Sequence, residues 1–229
     1  MQKMDASKEY AAQKEKTLRV FIGIAGFVLP LVLYASLLIT NKFTGVLPSI
    51  SHYFFTRANP FFCLILGYVA ITLIIYKGYD QTDDIVSTIA GIAAFIVIII
   101  PAENLYMLNK GIYKNLAVTS IPESPVRPII HFVAAGVFLI CLSIMAAFQF
   151  TQTKKINGIP VQPITNDKRM RNMFYRISAI VMIICIVLIA LGANGIIFSA
   201  EYYTSHQLTF WFESLAVWTF ALSWLVKGL

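Results

Sequence analysis

Charge is scarce in this chain, and acid is scarcer than base. Charged residues make up 13% of 229 positions, with 18 Lys and Arg against 11 Asp and Glu. Soluble globular domains carry about 25% charged residues, so the shortage argues against a chain dissolved in water. Cysteines and histidines number three each. Cys63, Cys141 and Cys185 fall in three different apolar runs, and no C-x-x-C pair occurs. A disulfide scaffold and a thiolate zinc site are thereby excluded, leaving three small apolar side chains. The zinc-binding patterns H-E-x-x-H and H-x-x-x-H are missing, as is a glycine-rich phosphate loop. No paired axial histidines sit in opposing apolar runs, which disfavours haem. No repeat of convincing period suggests an inverted-repeat transporter.

What is present is hydrophobicity in long blocks. Apolar residues form 58% of the chain. A hydrocarbon core of about 30 Å needs roughly 20 apolar residues per helix. Six runs of about that length stand at residues 19–40, 60–76, 84–102, 128–150, 174–193 and 207–226. They predict an all-α fold, a polytopic membrane bundle of six transmembrane helices filling residues 19–229 as one domain. Residues 1–18 are polar and mixed in charge, and read as an N-terminal tail or an amphipathic surface helix, unlike a cleavable signal; the first span is expected to be retained. Pro30 should kink that span. Gly23 and Gly26, the small residues Ser87, Ala90, Gly91, Ala93 and Ala94, and the patch Ala134, Ala135 and Gly136 offer flat faces for close helix packing.

The loop charges orient the bundle. Lys3, Lys8, Lys14, Lys16, Arg19, Lys77, Lys154, Lys155, Lys168, Arg169, Arg171, Arg176 and Lys227 fall on one side, which makes 13. Lys42, Arg57, Lys110, Lys114 and Arg127 fall on the other, which makes five. The positive-inside rule then places both termini in the cytoplasm. The same bias explains the net charge of +7 by anionic lipid rather than nucleic acid. Asp80, Asp83 and Asp84 are expected in a solvated cytoplasmic turn, complementing the dipole of the third span. Tyr106, Tyr113, Tyr202, Tyr203 and Trp211 fit an interfacial belt at the outer boundary.

All three histidines fall on the outer side: His52 in the first loop, His131 one turn into the fourth span, and His206 just before the sixth. Arg57, Glu103 and Glu201 lie at the same level. Glu213 is deeper, seven residues past His206 and roughly 10 Å further in if both share one helix. Three imidazoles leave a fourth zinc position open for water, and a carboxylate can serve as base. His52, His131 and His206 are thus candidate metal ligands, with Glu213 and Glu103 as candidate catalytic acids. The plainer reading makes His52 and His206 interfacial loop residues and His131 a helix-end hydrogen bonder. Arg57 could hold a lipid phosphate by its planar fork, or lie exposed at the interface. A carboxylate within a span is costly, so Glu213 should face the bundle interior, as a proton acceptor or as a structural partner. The first outer loop, residues 47–60, is too apolar for a solvated loop and should pack on the bundle.

The stretches LPSISHYFFTR (47–57), YKGYDQTDDIVSTIAGIAA (76–94) and FWFESLAVWTFALSWLVKG (210–228) resemble bacterial multi-pass proteins of the DUF998 and Frag1/DRAM/Sfk1-like families. The resemblance implies a six-span bundle in the bacterial inner membrane and supplies little chemistry. A more distant similarity is to alkaline-ceramidase-like membrane hydrolases, whose S-x-x-x-H and H-x-x-x-H pairs and seventh span are missing here. Three functions follow as expectations. The first is a non-enzymatic lipid-interacting, sensing or assembly factor with no cofactor. Its partners would be membrane lipids and, beyond them, a membrane-protein partner or a second copy of the chain. The second is a zinc-dependent lipid hydrolase on the three histidines. The third is a small proton-coupled transporter using Glu213.

Overall fold

Apolar runs this long close their backbone hydrogen bonds within themselves, because hydrocarbon offers no other partner. The computed structural model describes residues 2–108, 111–153, 155–156, 159–160 and 165–229. Its helices are α1 (Gln2–Asn41), α2 (Asn59–Ile75), α3 (Gln81–Ile99), α4 (Leu105–Leu108), α5 (Arg127–Ile144), α6 (Asn166–Ala193), α7 (Ala200–Ser205) and α8 (Leu208–Gly228). A 3-10 helix, Ile50–Phe55, joins α1 to α2, and a π-helical turn, Met145–Gln149, continues α5. In the α5–α6 connection Lys155–Ile156 pairs antiparallel with Ile159–Pro160.

Five helices are long and apolar enough to cross a membrane: α1 from Gln13, α3, α5 with its π turn, α6 and α8. The sixth apolar run, α2, is helical but has 17 residues, or about 25 Å. Five of the six expected runs thus form helices of spanning length, and the second forms a helix as short as the run itself. Two boundaries also move. α1 is unbroken across residue 18 and runs through Pro30. α6 starts at Asn166, well before its apolar run, because Thr165 caps it by accepting the Lys168 N–H.

The helices form a closed ring. α1 packs on α2, α2 on α3, α3 on α5, α5 on α6, α6 on α8, and α8 returns to α1. Trp224, Phe150, Leu33, Leu73 and Leu142 are buried within it. Isoleucines and leucines such as Leu64, Ile71, Ile89 and Ile180 point outward. Lipid removes the hydrophobic drive between helices, so small residues at their contacts set how closely they pack. A Cβ on Gly91 would sit 2.6 Å from the Ala70 carbonyl oxygen of α2. One on Gly23 would sit 2.8 Å from the Ala221 carbonyl oxygen of α8.

The α2–α3 turn is built by its own acids. Asp80 accepts the Asp83 N–H at 3.0 Å, and Asp84 accepts the Gly78 N–H and the Lys77 ammonium, each at 2.9 Å. The expectation of a fully solvated turn is corrected at Asp83, which is buried. Its carboxylate accepts the Tyr79 N–H at 2.8 Å and the Gln152 side-chain amide at 3.1 Å.

Candidate functional site at the outer ends of the helices

The segment before α2 is apolar because it is buried. Leu47, Tyr53, Phe55 and Ala58 have no exposed surface. Backbone groups placed there need partners, and α8 provides them. The Phe210 N–H donates to the Pro48 carbonyl at 3.1 Å, and the Ile50 N–H donates to Glu213 Oε2 at 2.7 Å. Ser49 holds the N-cap position of the 3-10 helix yet makes no side-chain cap. The carboxylate of Glu213, from a helix 163 residues away in sequence, does that work. Ser49 Oγ instead meets His52 Nδ1 at 2.8 Å. The far end is tied by the Val118 N–H to the Phe55 carbonyl at 2.8 Å and by a bridge between Thr56 and Ala117.

His131, in the first turn of α5, is buried and donates from Nδ1 to the Ile100 carbonyl at 2.7 Å. It thereby joins the start of α5 to the end of α3. His206 is exposed. It ends α7, donates from Nδ1 to the Tyr202 carbonyl at 2.9 Å, and lies with its ring 4.1 Å from that of Tyr202. The expectation that His206 faces the interior with Glu213 is corrected. Gln207 takes a left-handed φ of 51° before α8 begins at Leu208, so residues 206 and 213 do not share a helix. Arg57 and Glu103 are exposed, and neither makes a hydrogen bond or ion pair among the described residues.

Burial dominates the electrostatics. The His52 imidazole is held down to about 3, first by burial and then by the nearby charge of His131. It is therefore neutral near pH 7, with Nε2 buried and unpartnered. Burial also pushes the Tyr203 phenol up, as does the adjacent Glu213 charge. Tyr203 accepts a hydrogen bond from the Thr209 hydroxyl at 2.9 Å. His52 and His131 thus lie within electrostatic reach of each other, while His206 stands apart. Among the described residues no group of three or more His, Cys, Asp or Glu side chains is placed to hold a metal ion.

Several connecting residues carry no sequence signal of their own. Asn104 accepts the Ile121 N–H at 3.1 Å and donates to its carbonyl at 2.8 Å, fixing the outer loop after α3. At the opposite end Gln152 bonds Asp83, Lys168 donates to the Gln152 carbonyl at 3.0 Å, and Lys227 donates to the Phe150 carbonyl at 2.9 Å. Their partners are mostly backbone carbonyls, which no side-chain pattern marks. Trp224 fills the space beside them, its ring 5.2 Å from both Tyr76 and Phe150. Comparison with protein-family models, with curated proteins and with solved structures finds no match for this chain.

Proposed function

We propose that this chain is a six-span protein of the bacterial inner membrane that acts through contact with lipid, as a sensing or assembly factor. On this reading its outer His and Glu residues are fastenings rather than reagents. The observation that carries it is the bond from the Ile50 N–H to Glu213. Here Oε2 of the intramembrane carboxylate caps the start of the 3-10 helix and pins the first loop to α8. His131 is engaged in the same way, between α5 and α3.

The six-span topology has two supports beyond the loop charges. At 17 residues α2 meets the lower limit of about 17 for a spanning helix. Gly228, at the end of α8, lies against Val20 and the Lys16 carbonyl near the start of the apolar part of α1. An even number of crossings brings the two termini to one side in this way.

The test uses purified protein in detergent. Glu213→Leu leaves the Ile50 N–H buried without an acceptor, and should lower stability by about 1–3 kcal/mol. Glu213→Gln keeps an acceptor oxygen and should stay close to wild type. Elemental analysis should find no stoichiometric zinc. One zinc per chain, lost when His52 or His131 is replaced, would overturn the reading in favour of a hydrolase. Wild-type melting of Glu213→Leu together with lost proton-coupled uptake in vesicles would overturn it in favour of a transporter.

A further inference from the structure

The groove between α5 and α6 joins an apolar wall to one cation, that of Arg176. Its cavity of about 590 Å³ is walled by Ala147, Ile180 and Ile184, with Ser143 at one end and Thr151 and Arg176 at the other. That volume falls within the roughly 300–1,000 Å³ usual for small-molecule sites. The π turn of α5 forms part of the wall, since Ala147 lies within it. Such turns carry an extra residue and widen a helix locally.

The polar groups of the groove are unequal. Ser143 donates its hydroxyl to the Leu139 carbonyl at 2.8 Å, and Thr151 donates to the Ala147 and Phe148 carbonyls at 3.0 and 2.9 Å. Both hydroxyl donors are engaged within their own segment. Arg176 is exposed and makes no hydrogen bond or ion pair among the described residues. No acid lines the groove. The site therefore presents a planar five-donor cation at one end and hydrocarbon along its length.

Its dimensions match one leaflet. From Arg176 to Ile184 along α6, and from Thr151 back to Ser143 along α5, the distance is about 12 Å at 1.5 Å per residue. Half of a hydrocarbon core is about 15 Å. Arg176 is also the last charged residue before an uncharged run that continues to Ala193. It thus stands where a headgroup meets the acyl region. Lys168, Arg169 and Arg171 lie in the preceding turns of the same helix, adding positive field at that level.

We propose that this groove holds one anionic glycerophospholipid, its phosphate on the Arg176 guanidinium and one acyl chain along Ala147, Ile180 and Ile184. The proposal rests on the lipid-contact reading above and gives it a site and a lipid class. Arg suits the phosphate because its fork can donate two parallel hydrogen bonds. A net-negative headgroup suits the surrounding basic turns better than a zwitterionic one, which carries its own cation.

The full chain, purified and equilibrated with equal phosphatidylglycerol and phosphatidylcholine, is read by native mass spectrometry. Wild type should retain one phosphatidylglycerol per chain in preference to phosphatidylcholine. Arg176→Gln should lower that retention about fivefold, the factor for losing one basic contact at a membrane surface. Arg176→Lys should recover part of it. Ala147→Phe, which fills the groove, should abolish retention of both lipids while circular dichroism stays that of wild type. Lys114→Gln, at the opposite end of the molecule, should behave as wild type. Glycerol phosphate, lacking acyl chains, should not compete. Competition by glycerol phosphate would overturn the proposal in favour of a site for a free phosphate ester. Loss of a dimer with Ala147→Phe, with no lipid bound to wild type, would overturn it in favour of a second copy of the chain. Equal retention of both lipids, unchanged in Arg176→Gln, would overturn it and leave the broader lipid-contact reading standing. A folded monomer that retains no lipid in any preparation would overturn both.

Discussion

At the scale of single residues, burial decides what the outer polar groups do. His52 has little access to water and lies within electrostatic reach of His131, so its folded pKa lies near 3 against an ordinary value of 6.5. The unfolded chain therefore takes up this proton before the folded one. The stability gained by keeping His52 neutral is complete above pH 6.5 and is lost as pH falls from there toward 3. The slope contributed by one such group is at most about 1.4 kcal/mol per pH unit. Thermal melts from pH 7.5 to 4.5 should show wild type losing its margin over His52→Gln as the buffer becomes more acid. Parallel melting curves for the two proteins across that range would show that His52 is not held neutral. Glu213 was legible in the sequence as an acid inside an apolar run. Its partner was not, because the Ile50 N–H is a backbone group and every residue but proline has one. The pairing of 206 with 213 failed for a local reason. A seven-residue offset means a shared face only inside one helix, and the chain turns at Gln207 first.

At the scale of elements, hydropathy located the five long helices and the shorter α2, and misjudged where they end. It marks where a helix meets lipid and is silent about where a helix continues into water. The polar start of α6 therefore lies outside its apolar run, and hydropathy does not show that the surface helix read at residues 1–18 is continuous with the first span. The cap at Thr165 was readable from its residue type, yet nothing apolar followed it closely enough to draw attention. Small-residue faces were more legible, because close approach of two helices requires them. Gly91 is the clearest case, as a Cβ there would also lie 2.6 Å from Ile74 Cγ1. The obstructing groups are a main-chain oxygen and a side chain at a tight contact, so α2 and α3 must separate to admit anything larger. Gly91→Leu should destabilise the bundle by about 1–3 kcal/mol, as overpacked sites usually do. A Cβ on Gly136 would meet nothing within 4 Å, so Gly136→Leu should melt like wild type. The comparison is read from tryptophan fluorescence during heating in detergent. Equal melting of the two variants would contradict the close α2–α3 contact.

At the scale of the whole molecule, ring closure is what charge bias and hydropathy could not supply. Loop charges say which end faces the cytoplasm; they do not say that the last helix returns to the first. That closure comes from side-chain fit between α1 and α8. Trp218 donates its indole N–H to the Phe27 carbonyl at 2.9 Å, and a Cβ on Gly23 or Gly228 would press on the facing backbone, at 2.8 Å from the Ala221 carbonyl oxygen and 3.2 Å from that of Lys16. A closed ring of six antiparallel neighbours requires both termini at one end, the end carrying most of the basic residues. Single-cysteine variants test the two halves of this statement together. Cys63, Cys141 and Cys185 are half-buried or buried, so each is first replaced by serine or alanine. A membrane-impermeant maleimide applied to intact cells should then label Lys114→Cys and leave Gln2→Cys, Thr153→Cys and Leu229→Cys unmodified. Permeabilised cells should show labelling at all four. Modification of Thr153→Cys and Leu229→Cys from outside, with Gln2→Cys and Lys114→Cys protected, would mean an odd number of crossings, with α2 lying outside the hydrocarbon core. Modification of Gln2→Cys, Thr153→Cys and Leu229→Cys from outside, with Lys114→Cys protected, would keep six spans and invert the molecule.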